Sequence, residues 1–263
     1  MRSLEWHLVN SPDVEAWPAR LLRARASADA RAMAGAAWVL RRKRDGRFLA
    51  ALGGGRLHAL VPGLAREAGI GEALSALDAP TERAGQGLAL PLDGLMERLH
   101  RLGLDHDYGD RSGLALFAEP CRLEFAGFDR YRRALWLVAP AARAWRRMEG
   151  AALADGIVLQ AISGYRSHDY QLGIFERKLA RGLTVDEILT VNAAPGYSEH
   201  HGGVALDIGA PGETAAEESF EATPAFGWLQ RRAGDFGFHM SYPRGNPHGI
   251  SYEPWHWRWH RAA

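Results

Sequence analysis

Hydrophobic and polar positions follow clear periods in the second half of the chain and blurred ones in the first. Ala139 to Ala154 repeats apolar residues at helical spacing, with Trp145, Met148 and Ala152 on one stripe and Asp155-Gly156 closing the run. Ile157 to Ile162 predicts a buried strand, Ser163 to Ser167 a turn, and Ser167 the cap of a helix reaching about Ala180, which Gly182 stops. Thr223-Pro224, a cap followed by proline, opens a further helix through Arg232, with Trp228 in the core. Val204, Leu206 and Ile208 alternate as the apolar face of a short strand, which sends Ala205 and Asp207 to the other face. Near the end, Trp255, Trp257 and Trp259 interleave with His256, Arg258 and His260. A strand there has an indole face for the core and a cationic or metal-binding face opposite.

The first half predicts a small α+β unit. Ser11-Pro12-Asp13 has the form of a helix start, interrupted at Pro18. Ala37 to Leu40 and Arg47 to Leu52 flank Asp45-Gly46 as a hairpin, and Gly53-Gly54-Gly55 reads as a flexible turn because it lacks the ending of a phosphate loop. Pro91 to Leu102 has helical spacing, and Gly113 to Phe117 reads as a strand. The expected division is an N-terminal α+β domain of unassigned role over residues 1–122 and a second α+β domain over 123–263.

Composition narrows the function classes. A net charge of +1 over 263 residues argues against a dominant nucleic-acid or membrane-surface role. No stretch approaches the roughly 20 apolar residues of a membrane span. Cys121 is the only cysteine, so an intrachain disulfide and a cysteine-type structural zinc site are both excluded, and a small buried thiol is its expected form. Charges and a proline interrupt the N-terminal stretch where a secretory signal needs a continuous apolar core, so the expectation is a cytoplasmic protein. The sequence does not indicate an oligomeric state.

Chemistry concentrates in two motifs. In Ser198-Glu-His-His-Gly-Gly-Val-Ala-Leu-Asp207, a Gly-Gly turn lets His200 fold back over Asp207, and the small residues beside that carboxylate leave room above it. One histidine and one aspartate supply two ligands, whereas a catalytic zinc takes three and a water. The terminal strand offers a candidate third in His256. Glu253, three residues earlier and separated from it by Pro254, is a candidate base for the attacking water.

These two motifs, with the upstream Ser163-Gly-Tyr-Arg-Ser-His-Asp-Tyr-Gln171, resemble the VanY-type D-alanyl-D-alanine carboxypeptidases, zinc enzymes that trim peptidoglycan stem peptides. The family pattern, Ser-x-His-x-x-Gly-x-Ala-x-Asp and then Glu-x-x-His, is met at Ser198, His200, Gly203, Ala205 and Asp207, and at Glu253 and His256. The resemblance covers roughly residues 125–260. It implies a VanY/hedgehog-like α+β zinc peptidase domain, with one zinc held by His200, Asp207 and His256 and with Glu253 as general base. It further implies Arg166 near the scissile carbonyl and Gln171 among the substrate contacts. Ser198, Tyr242 and Arg258 are unranked candidates for the substrate's terminal carboxylate.

The expected activity is release of terminal D-alanine from a stem peptide or muropeptide by D,D- or L,D-cleavage. The lean is toward L,D action on tetrapeptides in wall recycling. A zinc-bearing binding module without turnover, as the signalling domain of hedgehog proteins illustrates, is the alternative. A serine hydrolase using Ser198 or Ser163 ranks low, because neither sits in a nucleophile elbow. His201 is either an outer partner of the metal site or solvated, with the lean toward solvated, and His168 is expected to lie on the surface at a helix start. His239 and His248 flank a loop on the substrate side, and His260 is expected at the exposed chain end.

Overall fold

The computed structural model describes residues 6–24, 26–79 and 88–260. Residues 1–5, part of the N-terminal stretch read above, lie outside it. Two antiparallel sheets organise the described residues. The first has seven strands: β1 (His7–Asn10), β2 (Val14–Pro18), β3 (Trp38–Arg42), β4 (Phe48–Gly53), β5 (Arg56–Ala59), β6 (Arg122–Phe128) and β7 (Ala134–Leu137). Their spatial order is β5-β4-β3-β2-β1-β6-β7. The second has four strands, β8 (Gln160–Ser163), β9 (Ala205–Gly209), β10 (Phe238–Met240) and β11 (His256–Trp259), in the order β10-β11-β9-β8.

The expected division at 122/123 falls inside the first sheet, because β6 pairs with β1 through His7 to Glu124 and Leu8 to Leu123. A sheet ladder joins residues far apart in sequence, and no local composition shift marks it. The expected helix after Ser11 is instead β2. Ser11 Oγ donates to the Val14 carbonyl at 2.7 Å, which makes a tight turn, and β2 is then claimed by β1 on one side and β3 on the other. The hairpin around Asp45-Gly46 forms as β3 and β4, and Gly54 and Gly55 take positive φ between β4 and β5. Gly113 to Phe117 forms no strand; instead the Phe117 N–H donates to the Gly196 carbonyl at 2.7 Å. That segment lies against the loop leading to His200.

The second half follows its local signals closely. The helix Ala139–Ala154 buries Trp145, Met148 and Ala152. Ser167 Oγ accepts from the Tyr170 N–H to open His168–Leu179, and Thr223 Oγ1 caps Pro224–Arg232 through the Phe226 N–H. One apolar cluster joins Trp145, Met148, Leu206, Ile208, Trp228 and Trp257, with Trp255 and Trp259 packed against it. All three C-terminal tryptophans therefore face the core, which fixes the opposite, polar face of β11. No helix among the described residues is long and apolar enough to cross a membrane.

Candidate metal centre

His256 stands opposite Asp207 in the β9–β11 ladder, and His200 arrives from the short helical turn Glu199–Gly202 just before β9. Gly203 makes that approach possible. It has φ +63°, and a Cβ there would meet Leu123 Cδ2 at 2.5 Å, so only glycine fits both the backbone and the space. One ligand atom each from His200, Asp207 and His256 lies within 4.8 Å of the others, and all three residues are buried.

Outer partners select the atom that each imidazole presents. His200 Nδ1 lies 2.7 Å from the Gly164 carbonyl and so must carry a proton, which leaves Nε2 as a lone pair. That Nε2 is 3.3 Å from Asp207 Oδ1 and has no hydrogen-bond partner although it is buried. His256 is held the other way round. Its Nε2 is 2.8 Å from Glu199 Oε2, and its Nδ1 is 3.1 Å from Asp207 Oδ1. Two histidine nitrogens and one carboxylate oxygen, with a buried lone pair unspent, are the donor set of a zinc site with an open fourth position.

The charges agree with that donor set. Burial, aided by Arg166, lowers the His200 pKa to about 4, so its imidazole is neutral. Burial opposes ionisation of Asp207, but His200, once acid protonates it, together with His256 and Arg166, outweighs burial and holds the carboxyl well below its usual range. Burial would also lower His256, yet the bonds to Asp207 and Glu199 raise it to about 10. His256 is thus held between two carboxylates, Asp207 and Glu199.

Glu253 has a different environment. Its Oε2 lies 3.8 Å from His256 Nδ1, and burial, reinforced by Asp207 and Glu199 against His256 and Arg166, raises its pKa to about 7. A turn holds it in place: its N–H donates to the Tyr242 carbonyl at 3.0 Å, and its own carbonyl accepts from the His256 N–H at 3.1 Å. Arg166 follows β8, with NH2 3.8 Å from Asp207 Oδ2 and a buried Nε that has no partner.

The remaining sequence candidates occupy varied positions. Ser198 is buried next to the His200 turn. Tyr242 is buried with its ring 4.9 Å from that of His256. Gln171 is buried and donates Nε2 to the Ala193 carbonyl at 2.8 Å, leaving Oε1 without a partner. Arg258 donates to Glu199 Oε1 at 3.1 Å and lies over the Phe117 ring at 4.9 Å. His260 is exposed, with its ring 5.5 Å from His239 on β10, and His248 Nδ1 lies 3.0 Å from the Ser112 carbonyl.

Two histidines depart from expectation. His201 is fully buried, its Nδ1 2.7 Å from the Arg166 carbonyl, and His168 is buried with Nε2 2.7 Å from the Phe117 carbonyl. Their rings meet at 4.4 Å, so they fill the space behind the Arg166 loop instead of facing solvent. Sequence reasoning also missed Glu199. This buried carboxylate accepts from Ser241 Oγ at 2.6 Å as well as from His256 and Arg258, and these partners overcome burial and lower its pKa to about 2. Its one signal was position, directly before the first histidine of the motif.

The family model described as D-alanyl-D-alanine carboxypeptidase (VanY) matches residues 134–262. YodJ of Bacillus subtilis (strain 168), named as a provisional carboxypeptidase, is 38% identical over 129 residues, which are 45% of this chain and 44% of that protein. The D-alanyl-D-alanine carboxypeptidase of Enterococcus faecalis (strain ATCC 700802 / V583) is 36% identical over 119 residues, 41% of this chain and 42% of that protein. The chain thus spans less than half the length of these two relatives. Among solved structures, a variant of the vancomycin resistance D,D-pentapeptidase VanY in complex with Zn(II) is 31% identical. The likeness covers 48% of this chain and 73% of that one, with a TM-score of 0.40. Residues 134–262 thus form a domain of the VanY-type D-alanyl-D-alanine carboxypeptidase family.

Proposed function

We propose that the protein is a zinc carboxypeptidase that removes the terminal D-alanine from peptidoglycan stem peptides. The observation that carries this reading is the convergence of His200 Nε2, Asp207 Oδ1 and His256 Nδ1 beside a partly buried carboxyl, Glu253, that has no hydrogen-bonded cation. One zinc ion is held by the three ligands. Zinc in such a site acts as a Lewis acid, polarising the scissile carbonyl and lowering the pKa of water.

The protein's own groups supply the proton transfers and the orientation. Glu253 takes a proton from the attacking water and returns it to the departing amine, a role suited to a carboxyl whose pKa burial has raised toward neutrality. Arg166 turns its unpartnered Nε and its NH2 toward the oxygen that gains charge as the carbonyl becomes tetrahedral, an effect typically worth about 3 kcal/mol. Ser198, Gln171, Tyr242 and Arg258 remain the candidate contacts for the terminal D-alanine. Arg258 reaches substrate only by keeping some of its donors free of Glu199.

Incubating the protein with tetrapeptide and pentapeptide stems, with and without a chelator, tests the reading. Release of D-alanine that stops on chelation and returns with zinc is expected, with one zinc per chain by elemental analysis. Release from the tetrapeptide identifies L,D cleavage, the narrower expectation tied to muropeptide recycling, and release from the pentapeptide identifies D,D cleavage. No D-alanine from either substrate overturns the proposal.

A further inference from the structure

A groove of about 330 Å³ extends from Arg166 and Asp207 to the first sheet, where Trp17 of β2 and Arg41 of β3 form its far side and Arg133 and Trp136 flank it. That volume falls within the range of ligand pockets, which begins near ~300 Å³. Trp17 and Arg41 lie outside the family-matched segment 134–262, so the groove joins the catalytic sheet to a part of the chain without an assigned role.

The far side is built rigidly. Buried Glu15 accepts from Trp17 Nε1 at 2.8 Å and from Arg41 NH1 at 2.6 Å, and Arg41 lies 5.2 Å from the centre of the Trp17 ring. Trp17 in turn meets Trp136 edge to face at 5.2 Å. Asp129 holds Arg133 through Nε at 2.6 Å. Of the three carboxylates at the groove, Asp207 belongs to the candidate metal centre, and Glu15 and Asp129 are each committed to an arginine, while each guanidinium, with five N–H donors, keeps some of them free. Two further donors on groove residues, Trp136 Nε1 and Arg166 Nε, are buried without any partner. An unmet buried donor costs roughly 1–3 kcal/mol, which an acceptor on a ligand would offset.

We propose that this groove binds the acyl side of the substrate, the peptide upstream of the cleaved bond. Trp17 and Trp136 form its aromatic wall, and Arg41 receives a carboxylate of that upstream segment. The N-terminal sheet thereby selects an acidic stem peptide over a short peptide with the same C-terminal residues. This inference rests on the carboxypeptidase reading and assigns the sheet a specificity role within it.

The test compares the zinc-loaded full chain with Arg41→Lys, Arg41→Ala and Trp17→Leu on two substrates: a full stem peptide and an acetyl-capped dipeptide carrying its last two residues. Arg41→Lys keeps the charge beside Glu15 and so guards against loss of the fold, while removing the planar fork. On the full stem, kcat/KM is expected to fall about tenfold, mainly through KM, as uniform binding energy is lost. On the capped dipeptide it is expected to stay unchanged. Equal losses on both substrates, or no loss on either, overturn the proposal. If the unaltered protein cleaves neither substrate, the carboxypeptidase reading fails instead. Calorimetric binding of the stem peptide then judges the groove: weaker binding by the Arg41 variants than by the unaltered chain supports it, and equal binding overturns it.

Discussion

Glu119 and Glu199 are equally buried, and each ends a web of hydrogen bonds, yet they stand in regions with different tasks. Glu119 lies at the seam between the two sheets. It accepts from Lys43 Nζ at 2.6 Å, Tyr165 OH at 2.5 Å, the His168 N–H at 2.8 Å and Asn10 Nδ2 at 3.3 Å. Glu199 lies behind the metal centre and accepts from His256, Ser241 and Arg258. In both cases burial pushes the carboxyl pKa up and the partners win, leaving about 2. Depth and depressed pKa therefore do not separate a structural carboxylate from a functional one. The partner's unspent atom does: Lys43 has nothing further to hold, whereas His256, fixed through Nε2, offers Nδ1 to the metal position. Glu253 completes the contrast, since it is partly buried without a hydrogen-bonded cation and its pKa moves the opposite way.

The largest expected effect comes from that third carboxyl. Glu253→Gln should lower D-alanine release by about 10²–10⁴-fold, the usual contribution of a general base, while zinc stays bound at full stoichiometry. The same change should stabilise the metal-free protein above neutral pH. The folded pKa of Glu253 is raised to about 7 from its ordinary 4.5, so its contribution is fully present below about 4.5 and is lost as pH rises through about 7. Denaturation of the metal-free protein between pH 4 and 8 checks this, and a variant with the original pH dependence would show that Glu253 does not titrate as described. Removing the cation beside Glu119 comes next. Lys43→Met leaves a buried carboxylate unpaired and should cost about 3–5 kcal/mol in denaturant unfolding, with zinc affinity of the folded protein unchanged. A matching loss of zinc affinity would mean that the seam and the metal centre act as one unit.

The contrast in legibility between the two halves has the same origin. The caps at Ser167 and Thr223 are satisfied within three residues, and the alternation of Trp255, Trp257 and Trp259 is a period of the chain itself, so both could be read locally. The three candidate metal ligands could be named because three motifs in order carry a family resemblance, and the fold brings those residues together. By contrast, Ser11-Pro12-Asp13 signals a helix, and the ladders from β1 and β3 override that local signal and make the segment β2. The sheet crosses residue 122 because β1 finds β6 more than a hundred positions away. His168 and His201 were placed at the surface because their partners, the Phe117 and Arg166 carbonyls, come from separate segments. Glu199 went unnoticed for a related reason: its three partners lie beyond residue 240, and only the folded chain brings them to it.

Glu199 also gives the smallest and most discriminating prediction. Glu199→Gln keeps the size of the side chain and can still accept a hydrogen bond from His256 Nε2, but it removes the negative charge that makes the imidazole a stronger donor to metal. Zinc affinity, measured by competition with a chelator of known strength, should fall about 10–100-fold, the usual effect of losing an outer partner of a ligand. Global stability should change less than in Lys43→Met, because the amide oxygen can still accept from His256 and Ser241, and only the partly exposed Arg258 loses its acceptor. The variant therefore has the profile opposite to Lys43→Met: metal lost and fold kept, against fold weakened and metal kept. If Glu199→Gln instead lowers stability as much as Lys43→Met and leaves zinc affinity intact, Glu199 serves the fold as Glu119 does, and the orientation of His256 must be set by Asp207 and the β9–β11 ladder alone.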